Sequence, residues 1–102
     1  MEFRDPSWHA QDVYDLLEQR RYAYCIMVAP KLKCVPLVTA RTLYVRFHSR
    51  GSVGPAFGRQ RLQEWADVIR DLMKTADDGC IYFNNDAQGA AIGDASILRE
   101  LL

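Results

Sequence analysis

The stretch Leu43-Tyr44-Val45-Arg46-Phe47-His48-Ser49-Arg50 decides how the rest of the chain reads. At the two-residue period of a strand it sends Leu43, Val45 and Phe47 to one face and Tyr44, Arg46 and His48 to the other. Two distant segments repeat the pattern: Glu2 and Arg4 flank Phe3, and Tyr82 and Asn84 alternate with Ile81 and Phe83. The strands therefore share one oily face and one polar face. A sheet interleaved with helices is normally covered on both faces by apolar side chains, so a charged second face needs a cause. A polar pocket at the strand ends supplies one.

Working outward, residues 2–4 begin as a strand and Asp5-Pro6-Ser7 turns into a helix. The spacing of Val13, Tyr14, Leu16 and Leu17 predicts a helix over 10–20, with Asp12, Asp15 and Glu18 on its wet side. The apolar run 23–28 reads as a strand buried on both faces. Residues 31–42 contain Pro36 and no helical stripe, which predicts an irregular link. After the strand at 43–48 comes a loop rich in small residues, 50–55, which lacks the spacing and Lys-Ser/Thr ending of a phosphate loop. Leu62, Trp65, Ala66, Ile69, Leu72 and Met73 line one face of a helix over 59–74, the clearest period in the chain. A strand over 80–84 and a helix over 90–102, burying Ala91, Ala95, Leu98 and Leu102, complete the order. This is an α/β unit of parallel type with right-handed crossovers, and ligands of such sheets bind at the carboxyl ends of the strands. Arg4, Asp5, His48, Ser49, Arg50, Asn84, Asn85 and Asp86 stand at those ends.

The 102 residues, 49% hydrophobic and 25% charged, fit one soluble domain, 1–102. No segment approaches the roughly 20 apolar residues of a membrane span, and the first residues lack the apolar run of a signal peptide. The expectation is a cytoplasmic protein with no membrane partner. Cys25, Cys34 and Cys80 have no CxxC spacing, so reduced thiols are expected rather than a disulfide or zinc. His9 and His48 lack ligand spacing, and no metal or other cofactor is implied. Net charge is zero but unevenly spread: all thirteen acids lie outside 19–63, where Arg20, Arg21, Lys31, Lys33, Arg41, Arg46, Arg50, Arg59 and Arg61 stand unopposed in sequence. Such asymmetry can create a positive field suited to an anion, and surface pairing in the fold can equally cancel it.

The chemistry follows from residue type. Arg4, Arg46 and Arg50 can take a phosphate or carboxylate in fork geometry, and Glu2, His48 and Asp86 are the candidate catalytic groups for moving a proton or orienting water. Asn84, Asn85 and Tyr44 complete the ligand-binding set. The competing arrangement is a closed network of Glu2, Arg4 and Arg46 that fills a barrel interior, because buried charges must find partners. Trp8 and Trp65 read as core or rim packing, and Cys34 has no histidine to activate it.

Glu2-Phe3-Arg4-x-Pro6-Ser7-Trp8, Thr39-Ala40 with Tyr44-Val45-Arg46-Phe47-His48, Leu62-x-x-Trp65-Ala66, and Tyr82-Phe83-Asn84-Asn85-Asp86 with Ala90-Ala91 and Ala95 resemble the carboxyl-terminal part of the domain of unknown function 72 family (YecE-like). The four motifs run in the family's order over nearly the whole chain. The resemblance implies a partial TIM barrel, a half-barrel of mostly parallel strands with helices on the outer face, from a family whose barrels run to about 250 residues. Two positions depart from the pattern: Ser49 stands where Gly usually follows the histidine, and Val28-Ala29 where an acid usually ends the second strand. The family has no settled activity, and its likeness to barrel enzymes acting on phosphodiesters is a likeness of fold. The expected function is a YecE-like pocket for an anionic, phosphate- or carboxylate-bearing small molecule, a hydrolase relic. The alternatives are a nucleic-acid-binding module using the basic middle segment, or a structural half-barrel that needs a partner. Four strands cannot close a barrel of the usual eight, so either a homo-oligomer or a complementary amino-terminal half is expected.

Overall fold

The computed structural model describes residues 1–29, 34–48, 57–85 and 89–102. Its centre is a parallel sheet in the order β1 (Cys25–Val28), β2 (Thr42–Phe47), β3 (Asp78–Phe83). The register puts Cys25, Tyr44 and Cys80 in one row, then Met27, Arg46 and Tyr82 two residues on. Side chains that share a row share a face, and faces alternate along each strand. β2 therefore divides as its sequence predicts, with Leu43, Val45 and Phe47 buried and Thr42, Tyr44 and Arg46 only partly so.

Three helices, α1 (Gln11–Arg20), α2 (Arg59–Leu72) and α3 (Ala90–Leu101), send their buried apolar residues into one cluster. Leu17, Leu62, Ala66, Ile69 and Leu98 meet Ile26, Val28, Leu43, Val45 and Phe47, all from the same face of the sheet. Phe47 is the hub: its ring stacks on Phe83 at 4.7 Å and meets the edges of Phe57 at 5.2 Å and Trp65 at 6.0 Å. Offset stacking and edge contacts of this kind suit the ring quadrupole and add to area burial. α2 has the expected face, because a strong 3.6-residue stripe needs no distant information. The link before β2 is irregular over its described part, 34–41. Thr39 ties that link down: its hydroxyl donates to Tyr22 O at 2.6 Å and accepts from Tyr24 N at 2.9 Å.

Two expectations are corrected. Residues 2–4 form no strand; only Met1 is bonded beside β1, its carbonyl accepting from Cys25 N at 2.6 Å and its ammonium donating to Ala23 O. That pair of bonds around Tyr24 is the parallel-ladder pattern, but Asp5-Pro6 starts a 3-10 turn (Pro6–Trp8) before a second pair forms. Among the described residues the sheet thus has three strands rather than four. On α3, Leu98 is buried as expected, yet Ala95 and Leu102 are exposed and Asp94 is buried in their place. The cause is polar. Asp94 accepts from Phe57 N at 2.8 Å, Gly58 N at 3.3 Å and Asn85 Nδ2 at 2.7 Å, and these bonds fix the rotation of the helix. Gly58, at φ 84°, adopts the left-handed backbone that aims its N–H at that carboxylate and opens α2.

Removing the carboxylate strands two backbone donors and takes one partner from the Asn85 amide. Asp94→Ala should cost roughly 2–4 kcal/mol in urea unfolding, while Ala95→Ser should stay within about 0.5 kcal/mol. The reverse ranking would mean that α3 sits with the face the sequence pattern suggests.

Candidate functional site

With Met1 bonded beside β1, alternation sends Phe3 into the core and Glu2 to the face opposite the helices. Asn84 lies just past β3, its N–H donating to Phe47 O at 2.8 Å, which sets it level with the end of β2. Arg46 reaches both. Its Nη1 donates to Glu2 Oε2 at 2.8 Å, and its Nε and Nη2 fork onto Asn84 Oδ1 at 3.1 and 3.0 Å. Arg4 Nη2 donates to the other carboxylate oxygen, Glu2 Oε1, at 3.4 Å. Four predicted site residues, Glu2, Arg4, Arg46 and Asn84, thus form one cluster on the sheet face that carries none of the described helices.

Within these four side chains two guanidinium groups share one carboxylate and a neutral amide, an excess of one positive charge, while the Asp5 carboxylate lines the depression beside Arg4. Arg46 and Glu2 are 25% and 27% exposed and Arg4 is 47% exposed, so the excess is within reach of solvent. Exposed ion pairs contribute little to stability, but a fork-bound guanidinium is held in a fixed orientation, which favours a planar or tetrahedral oxyanion. Glu2 and Arg4 also line a depression of about 400 Å³ with Met1, Phe3, Asp5 and Trp8. Asp5 itself serves the turn: Ser7 N–H donates to it at 2.9 Å, and that bond holds its carboxyl below the usual range.

Tyr44 lies on the same face, its ring 5.6 Å from that of Tyr82. Beside Tyr44 in the same row, on β1, is Cys25, whose thiol is pushed up to about 11 by burial, with the Glu2 carboxylate adding to the shift and Arg46 opposing it. His48 is half-buried at the end of β2, its N–H donating to Val28 O at 2.9 Å. Its Nδ1 is buried and has no hydrogen-bond partner among the described residues. Asn85 points the other way: it is 2% exposed and bonded to Asp94 on the helix side, so the structure does not bring it to the cluster. Arg50 and Asp86, like Ser49, lie outside the described residues. Among the described residues no group of three His, Cys, Asp or Glu side chains is placed to hold a metal ion. Tyr82 and Cys25 join the predicted residues on this face, and both have a signal in the sequence: Tyr82 is two positions before Asn84 in the same alternation, and Cys25 alternates with Ile26.

The Cys25 thiol gives a pH prediction. Its folded pKa lies above the ordinary value of 9.0, so between about 9 and 11 the unfolded chain has already lost a proton that the fold retains. Stability is full below pH 9 and falls toward pH 11, with buried Tyr24, also pushed up by burial, acting in the same direction. The urea midpoint at pH 10.5 should lie below that at pH 8.5, and Cys25→Ala should reduce the drop. Iodoacetamide at pH 8 should modify Cys25 only on unfolding; rapid labelling of the native protein at Cys25 would contradict the buried placement.

No curated protein matches this chain. Among solved structures, a DUF72 family protein from Thermotoga maritima MSB8 superimposes with a TM-score of 0.88 at 22% identity, over 97% of this chain and 44% of that one. A DUF72 family protein from Enterococcus faecalis V583 gives 0.85 at 19% identity, over 99% of this chain and 46% of its own. The chain therefore spans less than half the length of these solved relatives, and at such identities the likeness is one of fold. The family model described as "Protein of unknown function DUF72" matches residues 1–102. With that match over its full length, the chain belongs to the DUF72 family.

Proposed function

We propose that this chain forms part of a TIM-type barrel wall, a half-barrel whose helix-free inner face binds an anionic small molecule through Arg46 and Arg4. The observation that carries this reading is the shared carboxylate: Glu2 neutralises only one of two guanidinium groups, and Asn84 fixes Arg46 in orientation without adding charge. The cluster stands at the carboxyl ends of the strands, where ligands of parallel α/β folds bind. Phosphate or carboxylate is the matching ligand group. Glu2 and His48 are the proton-transfer groups in this reading, which makes hydrolysis the reaction class it suits. None of the helices among the described residues is long and apolar enough to cross a membrane, and the three free thiols suit the cytoplasm, the compartment we assign.

A ligand that binds only the folded state stabilises it by about 2.7 kcal/mol at a hundredfold excess over Kd. Inorganic phosphate should therefore raise the melting temperature of the wild type and not that of Arg46→Ala. Arg46→Lys should not restore the effect, since an ammonium cannot fork. Equal shifts in wild type and Arg46→Ala would end this reading. A steep salt dependence of binding to DNA or RNA, lost in variants of Arg20, Arg21 and Arg41, would favour the nucleic-acid module instead.

A second reading, a structural half that needs a complementary half-barrel or a second copy, is supported by the sheet's flanks. At one, Met1, Trp8, Leu16 and Tyr22 are each more than half exposed. At the other, Leu43, Ile69, Arg70, Met73, Gly79, Ile81 and Leu102 line a groove of about 340 Å³ beside β3, an edge strand among the described residues. Open edges and contiguous apolar surface favour association. Sedimentation equilibrium should show self-association at micromolar concentration, weakened by Trp8→Ser with Leu16→Ser. A well-folded monomer would exclude self-association.

A further inference from the structure

The two tyrosines beside the cluster are not used by an anion alone. Tyr82 is the register partner of Arg46 on the neighbouring strand, and Tyr44 precedes Arg46 by two residues, so all three side chains share the helix-free face. Adjacent strands lie about 4.8 Å apart, which sets both rings within one small ligand's length of the guanidinium. The rings meet at 5.6 Å with 44° between their planes, which leaves part of each ring face unstacked. Tyr82 is 51% exposed although it projects from a sheet strand, whereas Phe47 and Phe83, the rings on the other face, stack on each other at 4.7 Å. Burial keeps the Tyr44 phenol above its ordinary value, so both the position and the charge state of that ring are those of a neutral aromatic wall.

We infer that the ligand joins its anionic group to a flat ring, the anion on Arg46 and Arg4 and the ring against Tyr82 and Tyr44. This rests on the anion-binding reading above and adds to it the class of ligand: an aryl phosphate or aryl carboxylate rather than a bare oxyanion or an aliphatic acid. A cross-strand tyrosine pair that merely stabilises the sheet would leave affinity indifferent to the ring. Stacking on an aromatic side chain changes affinity by roughly five- to a hundredfold, enough to read as a ratio.

Calorimetric titration of the wild type with phenyl phosphate, cyclohexyl phosphate and inorganic phosphate tests it. Phenyl phosphate should bind at least about tenfold more tightly than inorganic phosphate and more tightly than the cyclohexyl ester. The ratio of phenyl to inorganic phosphate affinity should fall to about one in Tyr82→Ala and persist in Tyr82→Phe, with far-ultraviolet circular dichroism verifying that both variants fold. Equal binding of all three ligands by the wild type would overturn the ring subsite and leave the anion site standing. Binding of none of them would remove both.

Discussion

The central constraint is the double pairing of β2. Because it is bonded in parallel to β1 on one side and β3 on the other, its register cannot slip without inverting both of its faces at once. One such slip would drive Arg46 into the cluster of Phe83, Phe57 and Trp65 and expose Phe47. The aromatic packing around Phe47 and the cation cluster around Arg46 are thus two consequences of one alternation. The hydrophobic face supplies the energy that holds the register, and the polar face inherits its geometry from it.

The cluster itself illustrates how a charged group is kept on a sheet face without closing on itself. A second carboxylate in place of Asn84 would complete a neutral network and suit a purely structural filling. An amide instead accepts from the guanidinium and fixes its plane without adding a second negative charge beside the Glu2–Arg46 pair. The bonds are made by residues 44 and 38 positions from Arg46 along the chain, so the arrangement exists only once all strands are paired. Asp94 plays a comparable part on the helix side, where one buried carboxylate joins the entrance of α2, the end of β3 and the middle of α3.

The chain spans less than half of its solved relatives, whose remaining length lies outside this piece of sheet. In a closed parallel barrel a helix-free face is interior, its mouth is where chemistry is done, and neighbouring strands supply the remaining wall. In the half-barrel proposed above, the flanks at the Met1 side and beside β3 are the places for further strands. In that proposal the polar face and the flanks are complementary properties of the same piece of sheet.

The amino-acid sequence by itself determined what depends on short-range period: the two faces of β2, the stripe of α2, the apolar run of β1, the absence of a helical stripe between β1 and β2, and the family through its ordered motifs. It also put Glu2, Arg46 and Asn84 among the polar positions of the alternation, which is information carried locally. Only the tertiary structure decided that residues 2–4 stop short of a strand, because pairing there is cut off by the turn at Pro6. Tertiary contacts likewise turned Asn85 away from Asn84 and Asp94 inward past Ala95. A residue's period says which neighbours it can share a face with, but a buried carboxylate goes where distant backbone donors need it, and those donors, Phe57 and Gly58, are 37 and 36 positions away in the chain.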